Sequence, residues 1–143
     1  IIRRHPVTRV VRPDKLCLAA LSATLSSYLK NKADLEIPIW QMISAKPSKL
    51  RQRAMNSRNQ LNYGSVASSK STIGGGSMPA EMMDTYVLCL KTTQANQLLN
   101  RLRSASPPVI ARIEDDNVII DPRTVLPHQE EILMKILKHY LAG

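Results

Sequence analysis

The sequence predicts an α+β fold, in which a small, mainly antiparallel sheet carries helices on one face and a helical segment precedes it. Residues 13–61 show the apolar spacing of helices, whereas strand-like apolar runs appear only later in the chain. From residue 65 onward the predicted order is strand, strand, helix, strand, strand, helix. Helices segregated to one face of such a sheet define the α+β class.

The first half of the sequence is basic and helical. Residues 1–12 form a basic lead-in, and Pro13 suits the first turn of a helix, where its missing N–H costs no hydrogen bond. We expect this helix to end near Leu29. Residues 36–43 predict one or two helical turns, and residues 47–61 predict a further helix. The basic residues of that helix, which either bind RNA or only solubilise the protein, are Lys49, Arg51, Arg53 and Arg58.

The second half alternates strands and helices. The predicted elements are an extended segment at 65–73, a strand at 85–90, a helix ending at Arg103, strands at 109–113 and 118–121, and a helix from Pro127. The two later strands form a hairpin, because the polar run 114–117 between them is typical of a turn. We therefore divide the chain into a helical segment, residues 1–62, and a small α+β domain, residues 63–143.

Length and composition limit the class of protein. With 143 residues, of which 43% are hydrophobic, the chain is long enough for a domain with a core. It contains no apolar run near the roughly 20 residues of a membrane helix and no secretory signal, so we expect a cytoplasmic protein. The first residues, two Ile without a Met, indicate a cut inside a larger protein. Cys17 and Cys89 follow no metal or redox spacing and are expected to be buried free thiols.

The charge balance favours an anionic partner. The 20 Lys and Arg residues outnumber the 11 Asp and Glu residues, which gives a formal charge of +9. Nucleic acid, phosphate and carboxylate substrates all suit this charge, and charge alone does not choose among them. A stand-alone basic RNA-binding module is therefore one open interpretation.

A catalytic or metal centre is hard to find in the sequence. His5, His128 and His139 have no Cys, Asp or Glu at metal-ligand spacing, so we interpret them as surface or capping residues. The acidic run 114–116 lies between two apolar strands and is better interpreted as a solvated turn. Ser65, Ser68, Ser69, Ser71 and Ser77 offer hydroxyl groups, but they form no recognisable nucleophile elbow. We predict no catalytic residue and no metal ligand in this chain.

Two features are candidates for a binding site. Arg9 and Arg12 lie three residues apart just before a predicted helix, and two planar guanidinium groups in this arrangement suit one shared oxyanion. The alternative is an ordinary solvated basic segment. The second feature is the loop of Gly74, Gly75, Gly76 and Ser77, where glycine allows backbone paths closed to other residues. Its alternative is a flexible connector.

Several ordered motifs resemble one enzyme family. Residues 5–25 (HPVTRVVRPDKLCLAALSATL) resemble the segment H-P-x-x-R-x-x-R-x-D-K-x-x-L-A-A-L-x-A-T-L of bacterial selenocysteine synthase, the L-seryl-tRNA(Sec) selenium transferase family. Further matches follow in the family's order, at Ile37-Pro38, residues 74–79 (GGGSMP), residues 107–115 (PPVIARIED) and residues 121–125 (DPRTV). The resemblance covers nearly the whole chain, and these ordered motifs together are more specific than any one of them.

The resemblance implies a fold, a reaction and a cofactor. The family has the aspartate-aminotransferase fold (fold type I), depends on pyridoxal phosphate, and converts seryl-tRNA(Sec) to selenocysteinyl-tRNA(Sec) with selenophosphate as donor. This chain then corresponds to the small C-terminal domain and the linking helix that joins it to the large domain. The Schiff-base lysine belongs to that absent large domain, so the resemblance implies that this fragment is inactive and binds no cofactor covalently.

The resemblance also suggests roles for both candidate features. Arg9 and Arg12 match family arginines that hold the seryl group or the anionic selenium donor. Gly74 to Ser77 shape a wall near the site or a contact between subunits of a homo-oligomer. Pro13 departs from the family pattern, and residues 46–71 follow it loosely, so a paralogous pyridoxal phosphate lyase is the alternative enzyme.

Overall fold

The structure is a computed structural model, and it describes residue 5 and residues 7–73 and 81–141. The chain divides into two compact units, Ile1–Gln41 and Met42–Gly143, which are described separately. Within the described ranges, no helix has the length and apolar character needed to cross a lipid bilayer.

The first unit consists of helices. These are α1 (Val7–Val10), α2 (Lys15–Leu29), α3 (Ala33–Glu36) and the first part of α4 (Pro38–Ser44). The Ser27 hydroxyl donates a hydrogen bond to Glu36 Oε2 at 2.7 Å, which ties α2 to α3. The Trp40 indole N–H likewise donates to the Tyr28 hydroxyl. Polar contacts between neighbouring helices therefore hold this unit together.

Helix α2 is largely exposed, with Ser26 and Ser27 half-buried near its C-terminal end. None of its residues is buried, and Leu16 and Leu29 are 80% and 84% exposed. The predicted burial of Cys17 is therefore wrong, because this thiol lies on the exposed helix. Cys89 is half-buried in the sheet, and neither cysteine forms a disulfide.

The second unit contains the predicted antiparallel sheet. Its strands are β1 (Ser65–Thr72), β2 (Met82–Lys91), β3 (Arg112–Glu114) and β4 (Asn117–Ile120), in the spatial order β1-β2-β4-β3. Every neighbouring pair is antiparallel. The long β2 lies at the centre, and its register pairs Ser69 with Thr85 on one side and Leu88 with Ile120 on the other.

Three helices cover one face of this sheet, as predicted. They are α5 (Pro47–Leu61), α6 (Ala95–Arg103) and α7 (Glu130–Leu141). Because side chains alternate along a strand, Leu88 and Leu90 of β2 share a face with Val118 and Ile120 of β4. These residues form the core with apolar side chains of α6 and α7, namely Leu98, Leu102, Met134, Ile136 and Leu137. The α+β class is therefore confirmed.

The β3–β4 hairpin is confirmed, but β3 is shorter than predicted. Asp115 and Asp116 form its turn with φ of +46° and +59°, the left-handed conformation that Asp tolerates better than most residues. We expected a strand from residue 109, whereas β3 begins at Arg112. The Val109 backbone N–H donates instead to the Leu102 backbone oxygen of α6 at 2.9 Å, so the residue at which we expected the strand to begin is bonded to the helix.

Helix α5 belongs to the sheet-containing unit. Leu50 and Ala54 of α5 are buried at 0% and 1% exposure, and Ala54 lines the same small cavity as Leu88 and Leu137. The division found in the structure thus lies between Gln41 and Met42, ahead of the predicted boundary at residue 62. The role of residues 1–62 in joining a further domain stays a prediction.

Gly64 makes the turn from α5 into β1. Its φ of +84° lies in the left-handed region, and a Cβ at this position would lie 2.7 Å from the backbone oxygen of Cys89. Both the backbone conformation and the close approach to β2 therefore require glycine here. Gly64 is therefore a glycine that the described backbone requires, whereas the three-glycine cluster singled out in the sequence lies outside the described residues.

Candidate functional site

The predicted arginine pair lies around the start of α2. Arg9 belongs to α1, and its side chain is outside the described residues. Arg12 is exposed in the short connection between α1 and α2. The structure thus places Arg12 where a ligand in solvent can reach it, and the convergence of both guanidinium groups on one anion stays a prediction.

Asp14, close to this pair, caps α2. Its Oδ1 accepts a hydrogen bond from the Cys17 backbone N–H at 2.8 Å, and the helix begins at Lys15 rather than at Pro13 as expected. The hydrogen bonds from Cys17, its backbone N–H above all, lower the pKa of the Asp14 carboxyl below its ordinary value. Asp14 is therefore held as a carboxylate by the helix start that it caps.

The predicted glycine loop lies outside the described residues. Gly74, Gly75, Gly76 and Ser77 all fall within the range 74–80 that the structure does not describe. The strands on either side are described, and Thr72 of β1 pairs with Met82 of β2. The proposed role of this loop near a site or a subunit contact therefore stays a prediction.

A buried polar cluster follows the end of β4. Asp121 is 7% exposed and accepts hydrogen bonds from the Thr85 hydroxyl and the Arg123 backbone N–H, both at 2.9 Å. The Ser71 hydroxyl also donates to this carboxylate. A buried carboxylate is tolerated when such donors compensate for lost water. We call Ser71, Thr85, Asp121 and Arg123 the Asp121–Arg123 cluster.

Arg123 is the most constrained charged residue of this cluster. Arg123 is only 4% exposed. Its Nη1 donates to the backbone oxygens of Met42 at 2.8 Å and Ala45 at 3.2 Å. Its Nη2 donates to the Asp84 backbone oxygen at 2.6 Å. The guanidinium thus satisfies carbonyls at the end of α4, where a cation is favourable, and joins that end to β2. Arg123 is a structural clamp, since Nη1 and Nη2 both donate to backbone oxygens, while its buried Nε has no hydrogen-bond partner among the described residues.

Sequence reasoning quoted the residues of this cluster but gave them no role. Asp121 and Arg123 belong to the motif 121–125, which was used only as a mark of family resemblance. An arginine shortly after an apolar strand is a possible signal of a buried polar cluster, because a charged residue at the edge of a core needs specific partners. Its partners lie about forty and eighty residues away, so the sequence alone did not identify them.

A groove of about 780 Å³ lies beside the sheet and is bordered by residues of β1, β3 and α7. Its size is that of a small-molecule site. The cations that line it are balanced, since Lys70 pairs with Asp84 and Arg112 Nε lies 2.6 Å from Glu114 Oε1. The groove is therefore a space without a strong net charge.

The polar residues that the sequence offered as metal or catalytic candidates lie apart from one another in the described ranges. No group of three His, Cys, Asp or Glu residues within these ranges is placed to hold a metal ion. His5, His128 and His139 are exposed, as predicted for surface and capping residues. Asp115 and Asp116 form the hairpin turn, which confirms the interpretation of the acidic run as a turn.

These observations define a class, a basic α+β domain whose described part holds a buried structural cluster of Ser71, Thr85, Asp121 and Arg123. Comparison with known proteins gives the family. The family model for L-seryl-tRNA selenium transferase (SelA) matches residues 1–126. The chain belongs to this family, and the resemblance inferred from its motifs is confirmed.

The individual relatives agree with the family assignment. The L-seryl-tRNA(Sec) selenium transferase of Carboxydothermus hydrogenoformans is 32% identical over 99% of this chain, which covers 32% of that protein. The proteins of the same name from Alkaliphilus oremlandii and Moorella thermoacetica are both 37% identical, over 94% and 97% of this chain and 31% and 32% of their own lengths. The chain thus spans about a third of the length of the curated relatives it matches.

Proposed function

We propose that this chain is the C-terminal portion of an enzyme that converts seryl-tRNA(Sec) to selenocysteinyl-tRNA(Sec), with selenophosphate as the selenium donor. The observation that carries this proposal is the family match over residues 1–126. Relatives with 32% to 37% identity over nearly the whole chain, which are named for this reaction, support it. The proposed enzyme has the fold type I architecture, depends on pyridoxal phosphate and works in the cytoplasm.

The lysines of this chain do not fit a pyridoxal phosphate site by themselves. A lysine that forms a Schiff base is activated by desolvation or by a neighbouring cation. Every lysine of the chain is exposed in the structure, and these are Lys15, Lys30, Lys32, Lys46, Lys49, Lys70, Lys91, Lys135 and Lys138. We therefore assign the Schiff-base lysine to a part of the enzyme outside this chain, and we expect the chain alone to be inactive.

Substrate binding is the role that we assign to Arg9 and Arg12. A guanidinium binds a carboxylate or phosphate through two parallel N–H groups, which fixes the orientation of the anion as well as attracting it. The exposure of Arg12 supports this role, because its donors are accessible to a ligand. Selenophosphate or the seryl end of the aminoacyl-tRNA is the proposed anionic or polar group held there.

The remaining assignments concern assembly. We propose a homo-oligomer with active sites between subunits, in which Gly74, Gly75, Gly76 and Ser77 shape a wall near the site or a subunit contact.

Two alternative functions have support from particular observations. The departure of Pro13 from the family motif favours a paralogous pyridoxal phosphate lyase, and the charge of +9 favours a basic RNA-binding module.

The assignment of the arginines is tested in the complete gene product with Arg9→Ala, Arg12→Ala and the matched control Arg103→Ala. Arg103 is an exposed arginine of α6, so its replacement removes the same charge elsewhere. We expect each of the first two variants to convert seryl-tRNA about tenfold or more slowly, because a charge-assisted hydrogen bond contributes about 1.5–3 kcal/mol. The visible absorbance of bound pyridoxal phosphate should stay unchanged.

Four outcomes separate the candidates. Substrate binding by the pair is supported if Arg9→Ala and Arg12→Ala both lose conversion but keep the cofactor absorbance, while Arg103→Ala keeps both. Wild-type conversion by all three variants contradicts the assigned role of Arg9 and Arg12. Cofactor absorbance without conversion in the unmodified protein favours the lyase, and no cofactor at all favours the RNA-binding module.

A further inference from the structure

Helix α2 carries a stripe of half-exposed apolar side chains along one side. The stripe consists of Leu18, Leu21, Leu25 and Tyr28, each between 46% and 55% exposed, and we call it the α2 stripe. Its members follow one another at intervals of three, four and three residues, which places them on one side of a helix. The only charged residue of α2 is Lys15, at its first position. The α2 stripe is therefore an uncharged apolar surface about 15 Å long.

The contact that ties α2 to α3 lies on another side of the helix. Ser27, whose hydroxyl donates to Glu36 of α3, follows Leu25 by two positions, which puts it about 200° round the helix. At the end of the stripe, the Tyr28 hydroxyl accepts a hydrogen bond from the Trp40 indole N–H, yet Tyr28 is still 46% exposed. The first unit thus leaves the α2 stripe open.

A helix as short as α2 needs packing to be stable. Isolated helices shorter than about 12–15 residues are marginal in water, and most helical stability in proteins comes from burial of an apolar face. Helix α2 has 15 residues, and none of them is buried. Contiguous exposed apolar side chains are typical of a surface that binds another part of an assembly. The α2 stripe therefore indicates a partner surface.

The length of the stripe and the length of the relatives together favour one partner. Pairing of two helices in a coiled coil is expected when such apolar spacing continues over at least three or four heptads, or about 21–28 residues. The α2 stripe spans 11 residues, from Leu18 to Tyr28, which is too short for pairing with α2 of a second copy. This chain covers only 32% and 31% of two of its relatives, so a larger part of the enzyme is available to cover the stripe.

The stripe begins close to Arg12 along the chain. The Leu18 backbone N–H donates to the Asp14 backbone oxygen at 3.2 Å, and Asp14 lies two residues after Arg12. The Asp14 carboxylate also accepts a hydrogen bond from the Cys17 backbone N–H at 2.8 Å. These bonds hold Asp14 to the first turn of α2, so the position of the helix sets the position of the backbone just after Arg12.

We propose that the α2 stripe docks on an apolar surface of the enzyme outside this chain, and that this docking positions Arg12 for its substrate. The positioning of Arg12 rests on the proposed function, in which this arginine binds selenophosphate or the seryl end of the tRNA. Leu18, Leu21 and Leu25 are then positioning residues, because they act on the substrate through the placement of α2.

The test uses the complete gene product and two double variants. Leu18→Ala/Leu25→Ala truncates the stripe, and alanine has the highest helix propensity, so the helix is not weakened locally. The matched control Leu16→Ala/Leu35→Ala truncates two leucines that are 80% and 69% exposed and lie outside the stripe. Leu16 is nine positions from Leu25, which puts it on the opposite side of α2. Both variants lose the same atoms, so a difference between them reports position.

Hydrogen exchange over residues 15–29, followed by mass spectrometry, measures the docking independently of activity. We expect these amides to exchange about tenfold or more faster in the stripe variant, because an undocked helix of this length opens often. The control should exchange like the unmodified protein. Unchanged exchange in the stripe variant, or equal acceleration in both variants, would overturn the docking. A smaller assembly in sedimentation of the stripe variant alone would identify a second copy as the partner and overturn the proposed one.

The kinetic constants for selenophosphate and for seryl-tRNA(Sec) are measured on the same samples. We expect the KM for one of them to rise about tenfold in the stripe variant, with a smaller change in kcat, because Arg12 loses its placement. Faster exchange with both KM values unchanged would overturn the positioning of Arg12. Faster exchange in the variant of a protein that transfers no selenium would overturn the proposed function and leave the docking surface. Circular dichroism checks the fold, and Leu25→Ala alone replaces the double variant if that one is unfolded.

Discussion

Arg123 donates a hydrogen bond from Nη2 to the backbone oxygen of Asp84 at 2.6 Å, so the residues after β4 are fixed to β2 by a buried guanidinium. The same side chain donates from Nη1 to carbonyls at the end of α4. One residue thus joins three separate parts of the second unit. Because these part-buried hydrogen bonds join the end of α4 to β2, Arg123 is expected to contribute to the stability of the second unit.

Loss of the Arg123 guanidinium is expected to destabilise the second unit. Arg123→Met keeps much of the apolar volume but removes every donor of the guanidinium, so the part-buried backbone oxygens of Met42 and Asp84 lose this donor. We expect the free energy of unfolding to fall by about 2–4 kcal/mol, measured by urea denaturation. Arg103→Met is the matched control, and it should change stability by less than about 0.5 kcal/mol because Arg103 is exposed. Equal effects of the two changes would contradict the clamp.

A second prediction concerns the turn between α5 and β1. Gly64→Ala places a Cβ on a residue with φ of +84° and within 2.7 Å of the Cys89 backbone oxygen, which cannot move without disturbing β2. We expect a loss of about 1–3 kcal/mol in the free energy of unfolding. Asn62→Gly is the control at another left-handed position, with φ of +50°, where glycine is free of strain. A neutral Gly64→Ala variant would show that the turn adapts.

The two cysteines should react at different rates with a thiol reagent. Burial is the main cause that raises the pKa of the Cys89 thiol, with the nearby Glu114 carboxylate as a second cause. Less thiolate is then present at Cys89 near pH 8, and access is reduced as well. We expect exposed Cys17 to be modified about tenfold faster or more. Cys17→Ser should leave only the slow phase and Cys89→Ser only the fast one, whereas equal rates in the two variants would contradict this placement.

The Asp14 cap should respond to acid. Its folded pKa lies below the ordinary value of 3.8, chiefly because the Cys17 backbone N–H donates to the charged form. The cap therefore stabilises α2 fully above the ordinary pKa, and this contribution is lost as pH falls through the lowered pKa. An NMR titration of the Asp14 carboxyl carbon should give a midpoint below 3.8. Asp14→Asn keeps an acceptor without a titrating group, so its helix should not show this acid transition.

Local patterns were sufficient to predict the order of elements and the sheet. Residues 85–90 are apolar and belong to the long strand β2, and the polar run after Glu114 gave the hairpin because turn residues and flanking apolar runs are neighbours in sequence. The start of β3 was less predictable, since the length of this strand depends on how far its pairing with β4 extends. Burial of Cys17 was predicted from apolar neighbours, but α2 has no buried residue.

Long-range polar contacts were not predictable from the sequence. Arg53 was grouped with the other cations of its helix, yet it pairs with Glu130, which lies 77 positions away. Arg123 and Met42 are likewise 81 positions apart. No local sequence pattern identifies Glu130 as the partner of Arg53 or Met42 as the partner of Arg123, because both contacts depend on how distant segments pack together. The candidate arginines Arg9 and Arg12 came from a local motif, and their convergence depends on side chains that a sequence does not position.

The most direct test of the central claim is the transfer of selenium to seryl-tRNA(Sec) by the complete gene product. Purified protein with pyridoxal phosphate is incubated with seryl-tRNA(Sec) and isotopically labelled selenophosphate, and the label on the aminoacyl-tRNA is counted. The account predicts label on the aminoacyl group that depends on both substrates. Cofactor-loaded protein that transfers no label, under conditions where a related selenium transferase does so, would contradict it.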